Sequence, residues 1–279
     1  AASDVYKRQA LKSDISADSS YVDSDMRKIQ HIKNQKGIVV STQNLFNSYN
    51  QLRVNADLIQ KNVEVMEAAA NAVQTQASIG MATQADVLKA QKNLQSIKST
   101  QTETLSSLET LRQNLCMMTG WSYNAQPEIK EVPQADLAAI DQINLEADRQ
   151  KALENNYDLQ YSRRALNNMQ ENSTDKKNQE RTVKNLEQSI SASMTNLYND
   201  IQQKKIAWQL AQAELATEQQ SMSATETKRG LGMVSDLEYL QAQSSFLGKQ
   251  IAEKTANMAL FQAVETYNWA VNGYLNQTQ

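Results

Sequence analysis

Apolar residues return along this chain every three or four positions, in narrow stripes rather than broad faces. Val87, Ala90, Leu94, Ile97, Leu108, Leu111, Leu115 and Met118 keep that rhythm, interrupted midway by Gln101 and Thr104. Leu240, Leu247, Ile251, Met258 and Phe261 form a similar seam near the C-terminus. A spacing of three and four marks one side of a helix that packs against other helices. The segment INLEADRQKALENNYDLQYSRRALNNM predicts a helix to about Met169, followed by a polar stretch, QENSTDKKNQER. A second helix is predicted from about Val183, with an earlier start left open, to about Lys228, roughly 70 Å long at 1.5 Å per residue. Both prolines, Pro127 and Pro133, fall in WSYNAQPEIKEVPQAD, the main break in the helical pattern.

The stripes belong to a duplication. Slid along itself by 152 residues, the chain places Gly80 on Gly232 and Met81 on Met233. Asn44, Leu45, Phe46 and Asn47 fall on Asn196, Leu197, Tyr198 and Asn199, and no gap is needed from Asn44 to Gln91. Two tandem copies of one long unit account for this register. Each copy carries the same punctuation, SIGMATQADVLKAQ in the first and GLGMVSDLEYLQAQ in the second. Thr83 stands three residues before Asp86, and Ser235 three before Glu238, the spacing of a capping box. Gly80 and Gly232 lie just upstream, where a helix end takes a left-handed residue. Lys228 and Arg229 occupy the preceding last turn, the favourable end for cations. Each copy therefore reads as helix, tight turn, helix. The domains read from this pattern are residues 10–120 for the first hairpin repeat, 121–143 for a proline-containing linker and 144–279 for the second repeat. Residues 1–9 are set apart, because DVYKRQ resembles the translation of a sequencing adapter; a targeting signal is expected to be missing with the natural N-terminus.

Composition fits this picture. The 279 residues include two prolines and three phenylalanines, are 40% hydrophobic and carry a net charge of −3. Such a chain favours long helices over sheet and lacks the basic footprint of a nucleic-acid binder. One cysteine, Cys116, excludes an intramolecular disulfide and a cysteine metal cluster; its apolar neighbours predict a packed thiol. His31 lies in a polar context without metal-ligand companions. No catalytic, cofactor-binding or metal residues are assigned. Gly230 and Gly232 do not form a phosphate loop, since no strand precedes them and no GKS/T follows. Lys176, Lys177, Lys204 and Lys205 read as solvated, and Trp121 and Trp269 as packed near helix ends. No window approaches the length of a transmembrane helix.

The paired G-[IL]-G-M-type turns, the LRQNLCMMTGW ending of the first copy and KALENNYDLQYSRRAL opening the second together resemble the TolC family of outer-membrane efflux ducts, from about residue 38 onward. The resemblance implies an all-α fold class here: long antiparallel helical hairpins in two tandem copies, a TolC-like α-helical barrel protomer. It implies a passive, non-enzymatic conduit, a homotrimer in the cell envelope working with a periplasmic adaptor and an inner-membrane pump. The two turns would form the periplasmic tip, with Gly80, Met81, Thr83, Asp86, Leu88, Gly232, Met233, Ser235, Asp236 and Leu240 as adaptor contacts and Glu238 as a pore acidic ring.

The sequence departs from the family in two places. Family members insert two β-strands per copy where this chain has QENSTDKKNQER and, 152 residues earlier, a polar segment from about Asp18. Neither carries a strand pattern, so both strand pairs are expected to be absent. A duct without a barrel needs another way to reach an outer membrane, by an N-terminal anchor or by partners. At the tip, Gln241 stands where the family has a second ring acid and Val234 where it has a locking arginine, which implies a weakly locked closed state. The competing reading is a soluble, elongated helical scaffold without a pore.

Overall fold

The computed structural model describes residues 22–275, so the expectations for residues 1–9 and for the segment from Asp18 to Tyr21 lie outside the described residues. Seven helices and no strand are present among the described residues: α1 (Ser24–Ser78), α2 (Gln84–Met118), α3 (Leu137–Asp141), α4 (Leu145–Asn155), α5 (Tyr157–Asn168), α6 (Thr174–Gly230) and α7 (Asp236–Val271). At 57 residues α6 is about 86 Å long at 1.5 Å per residue. The second-copy strand site is a turn, residues 169–173, so the all-α expectation holds there.

The helices contribute to two compact units. One comprises residues 41–136 and 201–263. Here α1 and α2 form a hairpin joined by the Lys98–Glu67 ion pair at 2.7 Å and a hydrogen bond from Gln101 to Gln60. The two residues that interrupt the α2 stripe, Gln101 and Thr104, are thus half-buried and continue the seam in polar form. Helices α6 and α7 form the second hairpin, with Lys249 pairing Glu214 at 2.8 Å and the Trp208 indole N–H donating to Glu253 at 2.6 Å. Between hairpins, α1 meets α7: Val54, Ile251 and Met258 form a buried cluster joined by Leu58, Leu247 and Val132.

Val132 comes from the proline-containing segment, which packs as a strap over this unit. Arg53 donates to the Ile129 carbonyl at 2.9 Å, and the Ala135 amide donates to Asn257 Oδ1 at 2.9 Å. Arg112, buried in α2, donates to the Ala125 carbonyl. Backbone groups left unpaired by proline and by the absence of regular structure are satisfied by side chains from three helices. Cys116 is buried beside this contact, as its neighbours predict.

The other unit comprises residues up to 40, 137–200 and 264 onward. Helices α4 and α5 lie against α6, linked by Arg149 to Thr195 at 3.1 Å and Arg163 to Glu187 at 2.8 Å. Ala152, Leu159, Ala165, Ile190 and Met194 are buried. Asp23 starts α1 by accepting from the amides of Asp25 and Met26, both at 3.0 Å. Its other oxygen accepts from Arg164 at 2.6 Å and Asn168 at 2.8 Å, clasping α1 to α5.

Three expectations are corrected and one is narrowed. The helix predicted to Met169 is divided at Asn156, which ends α4 and caps α5 by accepting from the Leu159 amide at 2.9 Å. The break frees the Tyr157 amide to donate to the Gly273 carbonyl at 3.2 Å. Helix α6 takes the earlier start that the sequence left open, at Thr174, because Ser173 caps it by accepting from the Lys176 amide at 3.1 Å. Lys176 is held by Glu171 and is mostly buried rather than solvated. Met118 and Trp121 are exposed rather than packed, since α2 ends at Met118 and the chain turns away. Trp269 does pack, edge-on to Tyr274 at 6.4 Å.

Candidate functional site

The two hairpin turns are built from the same hydrogen bonds. At the end of α1 the Met81 amide donates to the Gln76 carbonyl at 2.8 Å and the Gly80 amide to Ala77 at 3.1 Å. At the end of α6 the Met233 amide donates to Lys228 and the Gly232 amide to Arg229, both at 2.9 Å. This is the Schellman pattern, in which the turning residue takes a left-handed conformation; φ is 76° at Gly80 and 72° at Gly232.

The returning helices start on capping boxes. Thr83 Oγ1 accepts from the Asp86 amide at 3.2 Å, and Asp86 Oδ2 accepts from the Thr83 amide at 2.9 Å. Ser235 Oγ accepts from the Glu238 amide at 3.2 Å, and Glu238 Oε2 accepts from the Ser235 amide and hydroxyl, both at 2.8 Å. The Thr83 hydroxyl and then its amide hold the Asp86 carboxyl below its ordinary range. The Ser235 amide and then its hydroxyl do the same for Glu238. Both acids stay ionised at neutral pH and add negative charge at a helix N-terminus.

The turns also present apolar surface. Ile79 and Met81 in the first turn have Leu231 and Met233 as counterparts in the second, and all four are at least 65% exposed. Leu88 is exposed, whereas Leu240, one turn into α7, is half-buried. Gly80, Thr83, Asp86, Gly232, Ser235, Asp236 and Glu238 are exposed. The residues singled out in the sequence thus gather at two turns of one unit.

One constellation escapes the sequence reading. Arg229 lies over the Tyr239 ring at 3.8 Å and pairs with Asp236 at 2.9 Å, bracing the end of α6 against the start of α7. The first turn has Ala77, Gln84 and Val87 at the matching places, and there Val87 is buried instead. The second turn therefore carries an ionic and aromatic brace within the chain. Two further Schellman turns, at Gly120 and Gly273, close α2 and α7. They are 153 residues apart rather than 152, which places one extra residue in α7.

No family model matches the sequence, and no curated protein matches it. Among solved structures, the outer membrane channel CmeC of Campylobacter jejuni superposes with a TM-score of 0.57 at 11% identity, over 91% of this chain and 66% of that one. VceC, an outer membrane protein of Vibrio cholerae, gives 0.55 at 12% identity, over 89% of this chain and 72% of that one. CusC, whose structures concern folding and transmembrane channel formation, gives 0.64 at 14% identity, over 96% and 89%. This is the helical fold of the TolC-family channels. The described part of the chain matches their helical portion. Identities of 11–14% carry the fold, and the rest of the reading stands on this chain's own residues.

Proposed function

We propose that the chain is a wall-forming protomer of a passive efflux or secretion duct in the cell envelope. It would act as a homotrimer, joined through its two tips to a periplasmic adaptor and an energised inner-membrane pump. The observation that carries this reading is the pair of matched turns on a TolC-type fold. Two rigidly capped tips each expose a two-residue apolar knob, Ile79 with Met81 and Leu231 with Met233. Contiguous exposed apolar surface with a polar rim favours protein contact. Thr83, Asp86, Leu88, Ser235, Asp236 and Leu240 form the rim of that contact. Among the described residues no group of three or more metal-ligating side chains is present. No helix among the described residues is long and apolar enough to cross a membrane.

Glu238 is the pore acid in this proposal. Its carboxylate stays ionised through the Ser235 cap, so a ring of such groups would favour cations. Reconstitution with the adaptor, followed by conductance recording, tests both levels. A cation-preferring conductance that loses its preference in Glu238→Gln is expected. Absence of any conductance would sink the duct reading in favour of a scaffold, whereas unchanged selectivity in the variant removes the ring alone.

A further inference from the structure

The proline strap crosses α1 and α7 beside a cavity of about 300 Å³, the size of a small-molecule site. Two asparagines on its walls are buried, and they are used differently. Asn257 of α7 spends both ends of its amide on the strap. Its Oδ1 accepts from the Ala135 amide at 2.9 Å, and its Nδ2 donates to the Pro133 carbonyl at 3.3 Å. Asn50 of α1 is 1% exposed. Its Nδ2 donates to the Phe46 carbonyl at 3.1 Å, which fixes the orientation of the amide. Its Oδ1 accepts from no donor among the described residues. A buried acceptor left unpaired is costly, so native proteins seldom keep one without a use.

The charges around the cavity are paired loosely. Arg53, one turn after Asn50 on α1, donates to the Ile129 carbonyl at 2.9 Å but reaches the Glu131 carboxylate only at 3.6 Å. Lys254 of α7 approaches the same carboxylate at 3.9 Å. A charge-assisted hydrogen bond is about 2.7–2.9 Å long. The Glu131 side chain is also 70% exposed, so it is a weak and displaceable partner for both cations. Glu253 lines the α7 wall, its carboxylate oriented by the Trp208 indole N–H at 2.6 Å. Two cations and two anions therefore balance. Val54, Val132 and Met258 supply an apolar part of the lining.

We propose that this cavity binds a small apolar amino acid in its zwitterionic form. The ligand's ammonium group donates to Asn50 Oδ1 and faces Glu253. Its carboxylate takes the place of Glu131 on Arg53 and Lys254, and its side chain lies against Val54, Val132 and Met258. A zwitterion adds no net charge to a set that is already balanced, whereas a lone amine or a lone acid leaves one charge in the cavity uncompensated. Asn50 and Arg53 are three residues apart on a helix, so their Cβ atoms are about 5–6 Å apart. The ammonium and carboxylate on one α-carbon can bridge that span. Binding pins the strap to α1 and α7, because Val132 belongs to it. The site is complete within one chain, so it does not depend on the duct reading.

The test is isothermal titration calorimetry of the full chain with L-leucine and L-methionine. Isoamylamine and 4-methylpentanoate, each keeping one charged end of leucine, serve as half-ligands. Saturable binding of an amino acid is expected, with each half-ligand about tenfold weaker or worse. Amide exchange at residues 129–135 should slow when the amino acid is bound. Asn50→Leu nearly conserves volume and removes the orphan oxygen. It should leave the melting temperature unchanged or raised, and weaken amino-acid binding about tenfold or more. Absence of saturable heat from both amino acids overturns the site. Full binding in Asn50→Leu, or isoamylamine binding as tightly as leucine, overturns the zwitterion. Binding with no change in exchange at the strap places the ligand elsewhere and overturns the proposal too.

Discussion

At the scale of single residues, the same amino acid carries different burdens in different turns. A Cβ added at Gly80 or Gly232 meets nothing within 4 Å, so alanine there costs only the left-handed backbone, roughly 1–2 kcal/mol. At Gly273 φ is 95°, and an added Cβ would lie 2.1 Å from the Asn155 carbonyl oxygen. Gly273→Ala must also push α4 away from the end of α7 and lose the Tyr157 amide bond, for roughly 3 kcal/mol or more. Urea denaturation should rank Gly273→Ala as the more damaging, and equal losses at Gly273 and Gly80 would refute the close approach. The Gly80 and Gly232 turns were legible in the sequence because a Schellman turn and a capping box together span about ten residues. The role of Gly273 was not legible, because its neighbour lies more than a hundred positions away.

At the scale of elements, the two hairpins share a backbone turn and differ in what fills it. Val87 closes the first by burial, and Arg229 stacked on Tyr239 closes the second. An exposed cation–π contact is worth about 0.5–1 kcal/mol. Arg229→Ala should therefore speed amide exchange at residues 231–235 roughly two- to fivefold, leaving residues 79–83 unchanged. No change at the second turn would mean that the stack does not brace it. This brace joins positions ten apart across a turn, a spacing that helical periodicity does not flag. The start of α6 was left open by the sequence for a related reason. TDKKNQER has no apolar rhythm, and its helix rests on the Ser173 cap and on Lys176 held by Glu171. The break at Asn156 likewise answers to α7 packing against it rather than to any proline or glycine nearby.

At the scale of the molecule, five described carboxyls sit below their ordinary range: Asp23, Glu64, Asp86, Glu109 and Glu238. Bonds from Arg112 and then Gln113 bring Glu109 to about 2, and the Met26 amide is the largest influence on Asp23, ahead of Asn168 and Arg164. A group whose folded value is depressed stabilises the fold above its unfolded value and loses that contribution as pH falls through the folded one. The melting temperature should hold down to about pH 4.5 and fall between there and about 2, the interval set by Glu109. Asp23→Asn should lower the melting temperature at neutral pH and flatten the fall; an acid profile identical to wild type would show that the clasp contributes nothing. Helical class, duplication and the two capped turns could be read from the chain because each rests on periodicity or on local spacing. The docking of the proline strap through Arg53, Arg112 and Asn257 could not, since it exists only after the helices have met.

The extra residue in α7 has a consequence for how the chain avoids folding wrongly. Near-identical tandem repeats tend to exchange partners, and misassembly between them is a characteristic failure of repeat proteins. Here α2 has 35 residues and α7 has 36. A helix lengthened by one residue is turned by about 100° beyond the insertion. If α2 took the place of α7 beside α6, the register would match near the turn and be lost toward the far end, where Gly273 meets Asn155. A single inserted residue thus gives each returning helix an address, and makes the wrong pairing pay at its last turn rather than its first.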